Sequence, residues 1–335
     1  MNIDYLVPQM YTEFDMEAQR NSGGGMMPNI NARKTALESR YKVNVIGSIE
    51  EMSADFCLIE SLWFTKEYSP RISENRLTAM YANRVDTFFQ TPSTKVVVCS
   101  ELEIARIPWW SRAKLKHYPA GIVVNTRYLW NICVALGITP IGYLCDAIDP
   151  HLFKPAPKEM SVVACGGLKH IKNPYLIFKV FKKLEGKMKR IYIGNAAIWS
   201  NERRSEDIAL VTEIKKCTDV WIENASYIET AYHLSRASIG INDTWHDVSS
   251  RINQEMLMSG VVSVAGKHPL FEERVGIHGL EIADAFVEAI KNLTKGFTKL
   301  PPAEKAKESR EFALQNFSTD VFLQQFNEIV RSVYL

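Results

Sequence analysis

The stretch Asp247-Val-Ser-Ser-Arg251-Ile-Asn-Gln-Glu255-Met-Leu-Met-Ser-Gly260 carries two carboxylates eight residues apart. They straddle the expected start of a helix near Ser250, and Gly260 stops that helix before a strand-like Val-Val-Ser-Val run. An ionised carboxylate accepts hydrogen bonds from paired hydroxyls. A helix amino end favours phosphate, because its free N–H groups and its dipole both point there. One segment therefore offers the parts that a sugar-bearing diphosphate needs: an acid for a pentose, a helix end for the phosphates and an acid beside the sugar. Ser250 suits the N-cap, and the hydroxyl of Ser249 or Ser250 is a candidate phosphate ligand. Arg251 falls in the first turn, where a cation opposes the helix dipole unless an anion sits there. Glu255 lies one turn later, in the less favourable order for an ion pair. An ordinary surface Arg–Glu pair is the alternative reading.

Two other stretches carry chemistry. Arg106-Ile-Pro-Trp109-Trp110-Ser-Arg112-Ala-Lys114-Leu-Lys116-His117-Tyr118 holds four formal positive charges, three aromatics and no acid. Arg112, Lys114 and Trp109 suit phosphate contact with base stacking, as on DNA. The same stretch suits an anionic membrane surface, or a solvated helix whose tryptophans join the core. Gly23-Gly24-Gly25 lets a backbone approach a ligand closely, but its spacing departs from the dinucleotide fingerprint, and a mobile loop reads equally well. The six cysteines are scattered without a C-x-x-C pair or a His cluster, so they read as reduced thiols and no metal site is expected.

Positioning these residues requires an α/β frame. The 335 residues make two domains the natural expectation. Apolar runs at Ile3–Val7, Val43–Ile46, Phe56–Glu60, Val96–Cys99, Ile122–Val124 and Ile141–Leu144 predict strands. So do Ser161–Ala164, Arg190–Ile193, Val220–Ile222, Ile239–Ile241 and Val261–Val264. Helical spacing over Pro174–Glu185, Ser205–Lys216 and Ser226–Ala237 fills the gaps, which argues for parallel sheets covered on both faces. The three prolines of Asp149–Pro157 mark an interdomain linker. Phe317–Leu335 reads as an amphipathic helix. A net charge of +2, no apolar run long enough to span a bilayer and no signal peptide point to a cytoplasmic protein without stable membrane insertion.

Four segments in order resemble the retaining, family-four-like group of GT-B glycosyltransferases. Ala147-Ile-Asp149-Pro-His-Leu-Phe153-Lys-Pro155 is similar to the family's Gly-Val-Asp-x-x-x-Phe-x-Pro linker. Gly166-Gly167-Leu168-Lys169-His-Ile-Lys172-Asn173-Pro174 resembles its Gly-Arg-Leu…Lys-Asn-Pro loop. Asp247…Glu255-Met-Leu-Met-Ser-Gly260 resembles its paired-acid motif, and Asn316-Phe317-Ser318 opens a final helix. The resemblance implies two Rossmann-like domains with parallel sheets facing across a cleft. Residues 1–150 would bind an acceptor, 151–315 a nucleotide-sugar donor, and 316–335 would form a helix crossing back to the first domain. It further implies a hexosyl- or pentosyltransferase acting with retention on a UDP- or GDP-sugar, with no metal or other cofactor required.

By this resemblance Lys172 binds phosphate, Glu255 accepts the ribose hydroxyls and Asp247 stands beside the transferred sugar. Lys169, Gly166, Gly167, Ser249, Ser250 and Arg251 would line the phosphates, and Asn224 the base. The chain departs from the family at Gly167, which replaces an arginine, at Asp247, which replaces a glutamate, and at Val248-Ser249-Ser250, which replaces Gly-Phe-Gly. Lys169 or Arg251 could then supply the missing cation. The acceptor stays open between a hydroxylated DNA base, a lipid-linked acceptor and a protein glycan, with Gly23, Gly24, Trp109, Arg112 and Lys114 as candidate contacts. A non-hydrolysing sugar-nucleotide epimerase and a non-catalytic nucleotide-sugar-binding module are the alternatives.

Overall fold

The structure is a computed structural model that describes residues 1–7, 26–47, 51–60, 93–99, 120–166, 168, 172–194, 205–244, 250–268, 271 and 274–334. The first unit contains β1 (Asn2–Leu6), α1 (Met26–Glu38), β2 (Lys42–Ile46), β3 (Phe56–Ile59), β4 (Thr94–Cys99), β5 (Ala120–Val124), α2 (Arg127–Ala135) and β6 (Gly142–Tyr143). The six strands stand in the order β2-β1-β3-β4-β5-β6. Every pairing is parallel, as the unbroken apolar runs of β3 and β4 require when both faces are covered. The chain leaves this unit at Ala147 and returns after Ser318 with α9 (Thr319–Tyr334), which contributes Phe322, Phe326 and Ile329 to the core.

α1 is seated by charge as much as by apolar packing. Its buried face holds Ile30, Arg33, Ala36 and Leu37. The Arg33 guanidinium pairs with Glu60, just past β3, and with Asp146 at 3.0 Å. The Tyr5 hydroxyl donates to the same Glu60. Burial alone would lower the arginine pKa, but the two carboxylates more than offset it and hold Arg33 charged.

The second unit runs from Ile148 to Ser318. It contains β7 (Glu159–Cys165), α3 (Pro174–Lys183), β8 (Lys189–Gly194), α4 (Ser205–Lys216), β9 (Val220–Glu223), α5 (Tyr227–Arg236) and β10 (Ala237–Asn242). α6 (Arg251–Met258), β11 (Val262–Gly266), β12 (Ile277–Leu280), α7 (Ala283–Leu293) and α8 (Ala303–Phe317) follow. Its six strands stand in the order β12-β11-β10-β7-β8-β9, again all parallel. Two apolar layers cover the sheet. One is built around Phe181, Tyr192 and Phe286, and the other around Phe153, Ile191 and Met256. The runs read from sequence fall on β1 to β11, with ends shifted by a residue or two. β12 escaped that reading: its residues are only partly covered, at the sheet edge, and His278-Gly279 breaks the apolar run.

Candidate functional site

The strand order of the second sheet reverses at one place. β8 and β9 extend it on one side of β7, while β10, β11 and β12 lie on the other. In open parallel sheets, ligands bind beyond the carboxyl ends of the two strands that flank such a reversal. Here those strands are β7 and β10.

β7 ends in Gly166, whose φ of 112° suits glycine alone. Its carbonyl accepts the Tyr192 hydroxyl. The Lys172 side chain passes over this turn, with Cε 3.8 Å from where a Gly166 Cβ would stand. Asn173 follows in the left-handed region at φ 42° and caps α3, its side chain accepting from Leu176 N at 3.2 Å. Pro174 then takes the first helical position, where its missing N–H costs nothing. The Asn173 amide also donates to Asp243 Oδ2, just past β10, at 2.5 Å.

On the β10 side, Asn242 Nδ2 donates to Ser250 Oγ at 2.7 Å. Ser250 does occupy the N-cap of α6, but it makes no side-chain capping bond. Ser250 is left-handed at φ 40° and ψ 59°, and its hydroxyl is engaged by the Asn242 amide rather than by the α6 backbone. α6 ends in a Schellman turn: Val261 N bonds Met256 O and Gly260 N bonds Leu257 O, both at 2.9 Å, with Gly260 at φ 67°.

Arg251 and Glu255 do pair, but not at the surface. Their side chains are only 9% and 6% exposed, and Arg251 Nε lies 2.8 Å from Glu255 Oε1. Arg251 Nη2 donates to the Tyr227 hydroxyl at 2.6 Å, and that hydroxyl is hydrogen-bonded to Glu255 in turn. The pair is buried because α6 is covered along its length, from Arg251 to Met258, save for Ile252. Glu255 also reaches toward β7. Burial, and then the Glu255 charge, push the pKa of the Cys165 thiol well above its usual range. Lys172 thus lies over Gly166, the residue after β7, and the Glu255 charge acts on the neighbouring Cys165.

Three contributors carry no sequence motif. Arg274 Nη1 donates to Ser250 O at 3.4 Å, and its guanidinium lies 5.6 Å from the Phe317 ring centroid. Asp243 and Tyr227 are brought in by the folds of β10 and α5. Each is distant in sequence from the residue it bonds, so only the folded chain reveals it. Asn224 stands at the edge strand β9, left-handed at φ 57°, with its N–H bonded to Gly194 O at 2.9 Å. Gly23, Gly24, Trp109, Arg112, Lys114, Gly167, Lys169, Asp247 and Ser249 lie outside the described residues. Among the described residues, no three His, Cys, Asp or Glu side chains gather as a metal site. No described helix is long and apolar enough to cross a membrane.

No protein-family model matches the chain. No curated protein matches it in sequence. Solved structures do match, over nearly the full length. Anabaena Alr3699/HepE, in complex with UDP and glucose, aligns at a TM-score of 0.68 and 13% identity, covering 99% of this chain and 100% of its own. Sucrose-phosphate synthase from Thermosynechococcus elongatus aligns at 0.69 and 12%, covering 100% and 99%. An alpha-glucosyltransferase in complex with UDP and a 13-mer DNA containing an HMU base aligns at 0.60 and 13%, covering 98% and 99%. Identities this low speak to architecture alone, and on that they agree with the two parallel six-stranded sheets: the chain has the GT-B fold of glycosyltransferases.

Proposed function

We propose that this chain is a glycosyltransferase that moves a sugar from a UDP- or GDP-sugar to an acceptor hydroxyl, with retained configuration. The observation that carries the reading is that the turn bearing Lys172 and the amino end of α6 are both tied to the carboxyl end of β10, at the switch in strand order: Asn173 bonds Asp243, and Ser250 bonds Asn242. Lys172 and the α6 amino end offer the diphosphate a cation and the positive end of a helix dipole. Glu255 faces the pentose, and its ion pair with Arg251 orients the carboxylate. By the resemblance, the sequence position of Asp247 assigns it to the sugar and that of Asn224 to the base.

In the reaction, the bond from the anomeric carbon to the diphosphate oxygen breaks as the acceptor oxygen bonds to the same face of that carbon. The acceptor proton passes to the departing phosphate oxygen, so no side-chain nucleophile is required, and Lys172 with the α6 dipole takes the charge-stabilising role that a metal would otherwise fill. The neighbour crystallised with DNA supports a modified DNA base as the acceptor, and the basic, aromatic stretch from Arg106 to Tyr118 supplies the groups for it.

A thermal-shift panel of UDP, GDP, UDP-glucose and GDP-mannose, with and without EDTA, tests the donor. Ligand at a hundred times its Kd stabilises the fold by about 2.7 kcal/mol, which moves the melting temperature by degrees. No shift with any of the four, in a folded sample, overturns the reading. Loss of the shift in EDTA overturns metal independence. Epimerised donor in the absence of acceptor would favour an epimerase. The Glu255 carboxylate already engaged by Arg251, which in turn donates to Tyr227, also fits a module that binds without turnover, and binding with no sugar transfer to any acceptor would favour that.

A further inference from the structure

Asp243 directly follows β10 and is half-buried. Three strand ends meet through its carboxylate. Oδ2 accepts the Asn173 amide at 2.5 Å, tying in the turn after β7. Oδ1 lies against Gly266, the last residue of β11, where a Cβ would stand 1.8 Å from it. Only glycine at 266 leaves room for the carboxylate. Burial pushes the Asp243 carboxyl above its usual range, while the Asn173 amide and then His268, just beyond β11, act the other way.

Asn173 needs such an anchor. A left-handed backbone costs a residue other than glycine roughly 1–2 kcal/mol, and Asn173 holds it at φ 42° and ψ 66°. Its side chain is used at both ends, with Oδ1 accepting from Leu176 N and Nδ2 donating to Asp243. Lys172 is the preceding residue, so the peptide plane set at Asn173 decides where the lysine side chain departs. That side chain passes over Gly166.

We infer that Asp243 is a positioning residue. Through Asn173 it holds the turn that carries Lys172 over Gly166, without itself touching the diphosphate. What Lys172 grips rests on the donor reading above; the tether itself does not. The backbone N–H groups of Leu176 and Ile177 both bond to Asn173 and report the tether without any ligand. In Asp243→Ala, amide exchange at these two positions rises about tenfold, the loss expected for one hydrogen bond to a charged group. Asp243→Asn keeps an acceptor for the Asn173 amide and restores exchange to within about twofold of the parent. Asn173→Gly tolerates the left-handed backbone but deletes both the tether and the Leu176 cap, so it raises exchange at Leu176 beyond Asp243→Ala while β9 amides stay protected. Unchanged exchange in Asp243→Ala, or no rescue by Asp243→Asn, overturns the inference.

Calorimetric titration with UDP supplies the second arm. Asp243→Ala weakens UDP about tenfold, and adding it to Lys172→Ala costs less than about twofold more, because the two residues act as one unit. Fully additive losses overturn the inference. Failure of the parent protein to bind UDP or GDP removes the donor reading and leaves the exchange arm to decide the tether.

Discussion

At the scale of single residues, a buried charge pair and a strained alanine make the clearest predictions. Removing one partner of a buried ion pair strands the other and costs about 3–5 kcal/mol, whereas replacing both with apolar groups is often nearly neutral. Glu255→Leu and Arg251→Met should each lower urea-unfolding stability by about 3 kcal/mol, while the double variant regains most of that loss. Losses that simply add would show that the 2.8 Å contact contributes no coupling. The order Arg-then-Glu is the weaker one on an exposed helix, yet the pair persists because Tyr227 shares it and water is excluded. Ala147 makes the second case. It is fully buried at φ 55°, where the resembling linker has glycine. Relief of a left-handed backbone gains roughly 1–2 kcal/mol, and the extra freedom of unfolded glycine gives back about 0.5–1. Ala147→Gly should therefore stabilise by about 0.5–1 kcal/mol in equilibrium unfolding, and a destabilised variant would mean that the methyl packs better than its backbone cost.

At the scale of elements, α6 has cations at the end opposite the candidate phosphate site. Arg310 donates to Met258 O, and Lys158 Nζ donates to Ser259 O at 2.7 Å and to Ser235 O at 2.9 Å. Cations there suit the negative end of the dipole, but burial acts more strongly on Lys158 and pushes its pKa down to about 7. A neutral amine has two N–H groups, and the two carbonyls take both. Because the folded pKa lies below the unfolded one, the charged form favours unfolding. Stability at this site is therefore lowest below pH 7 and rises as pH climbs from about 7 toward the unfolded lysine value of 10.5. The stability of the parent relative to Lys158→Met should rise from pH 7 to pH 9.5; a constant difference would assign the dipole the larger effect. Elements also show what sequence can reveal. β7 to β11 and α4 were legible because their apolar runs and helical spacing follow from burial on both faces. α1 was not, since Arg33 occupies the centre of its buried face and reads as a solvent residue until Glu60 and Asp146 are seen beside it. The site divides the same way. Arg251 and Glu255 sit one turn apart and announce themselves, whereas Asp243, Tyr227 and Arg274 join it only through folding.

At the scale of the whole molecule, the last helix is the telling element. The chain leaves the first unit after Ala147 and re-enters it after Ser318, so α9 is distant in sequence from the core it completes. Phe326 packs edge-on against Phe56 and Tyr41, with ring centroids 5.5 and 5.6 Å apart. Gln325 accepts the Cys145 N–H at 2.8 Å, and the Tyr41 hydroxyl bonds Asn327. Phe322, Leu323, Phe326 and Ile329 are buried, and at about 1.5–3 kcal/mol each they contribute roughly 6–12 kcal/mol of gross burial. A domain of this size has a net stability of only about 5–15 kcal/mol, so the first unit should not survive without α9. The second unit closes its own core with α8 and owes α9 no buried side chain in either apolar layer. Truncation after Ser318 should therefore leave one cooperative calorimetric transition, and UDP should still raise it, since the proposed donor residues all lie between Gly166 and Glu255. Loss of both transitions would mean that the two sheets fold as a single cooperative unit. A surviving transition that no longer responds to UDP would mean that donor binding needs the first unit as well.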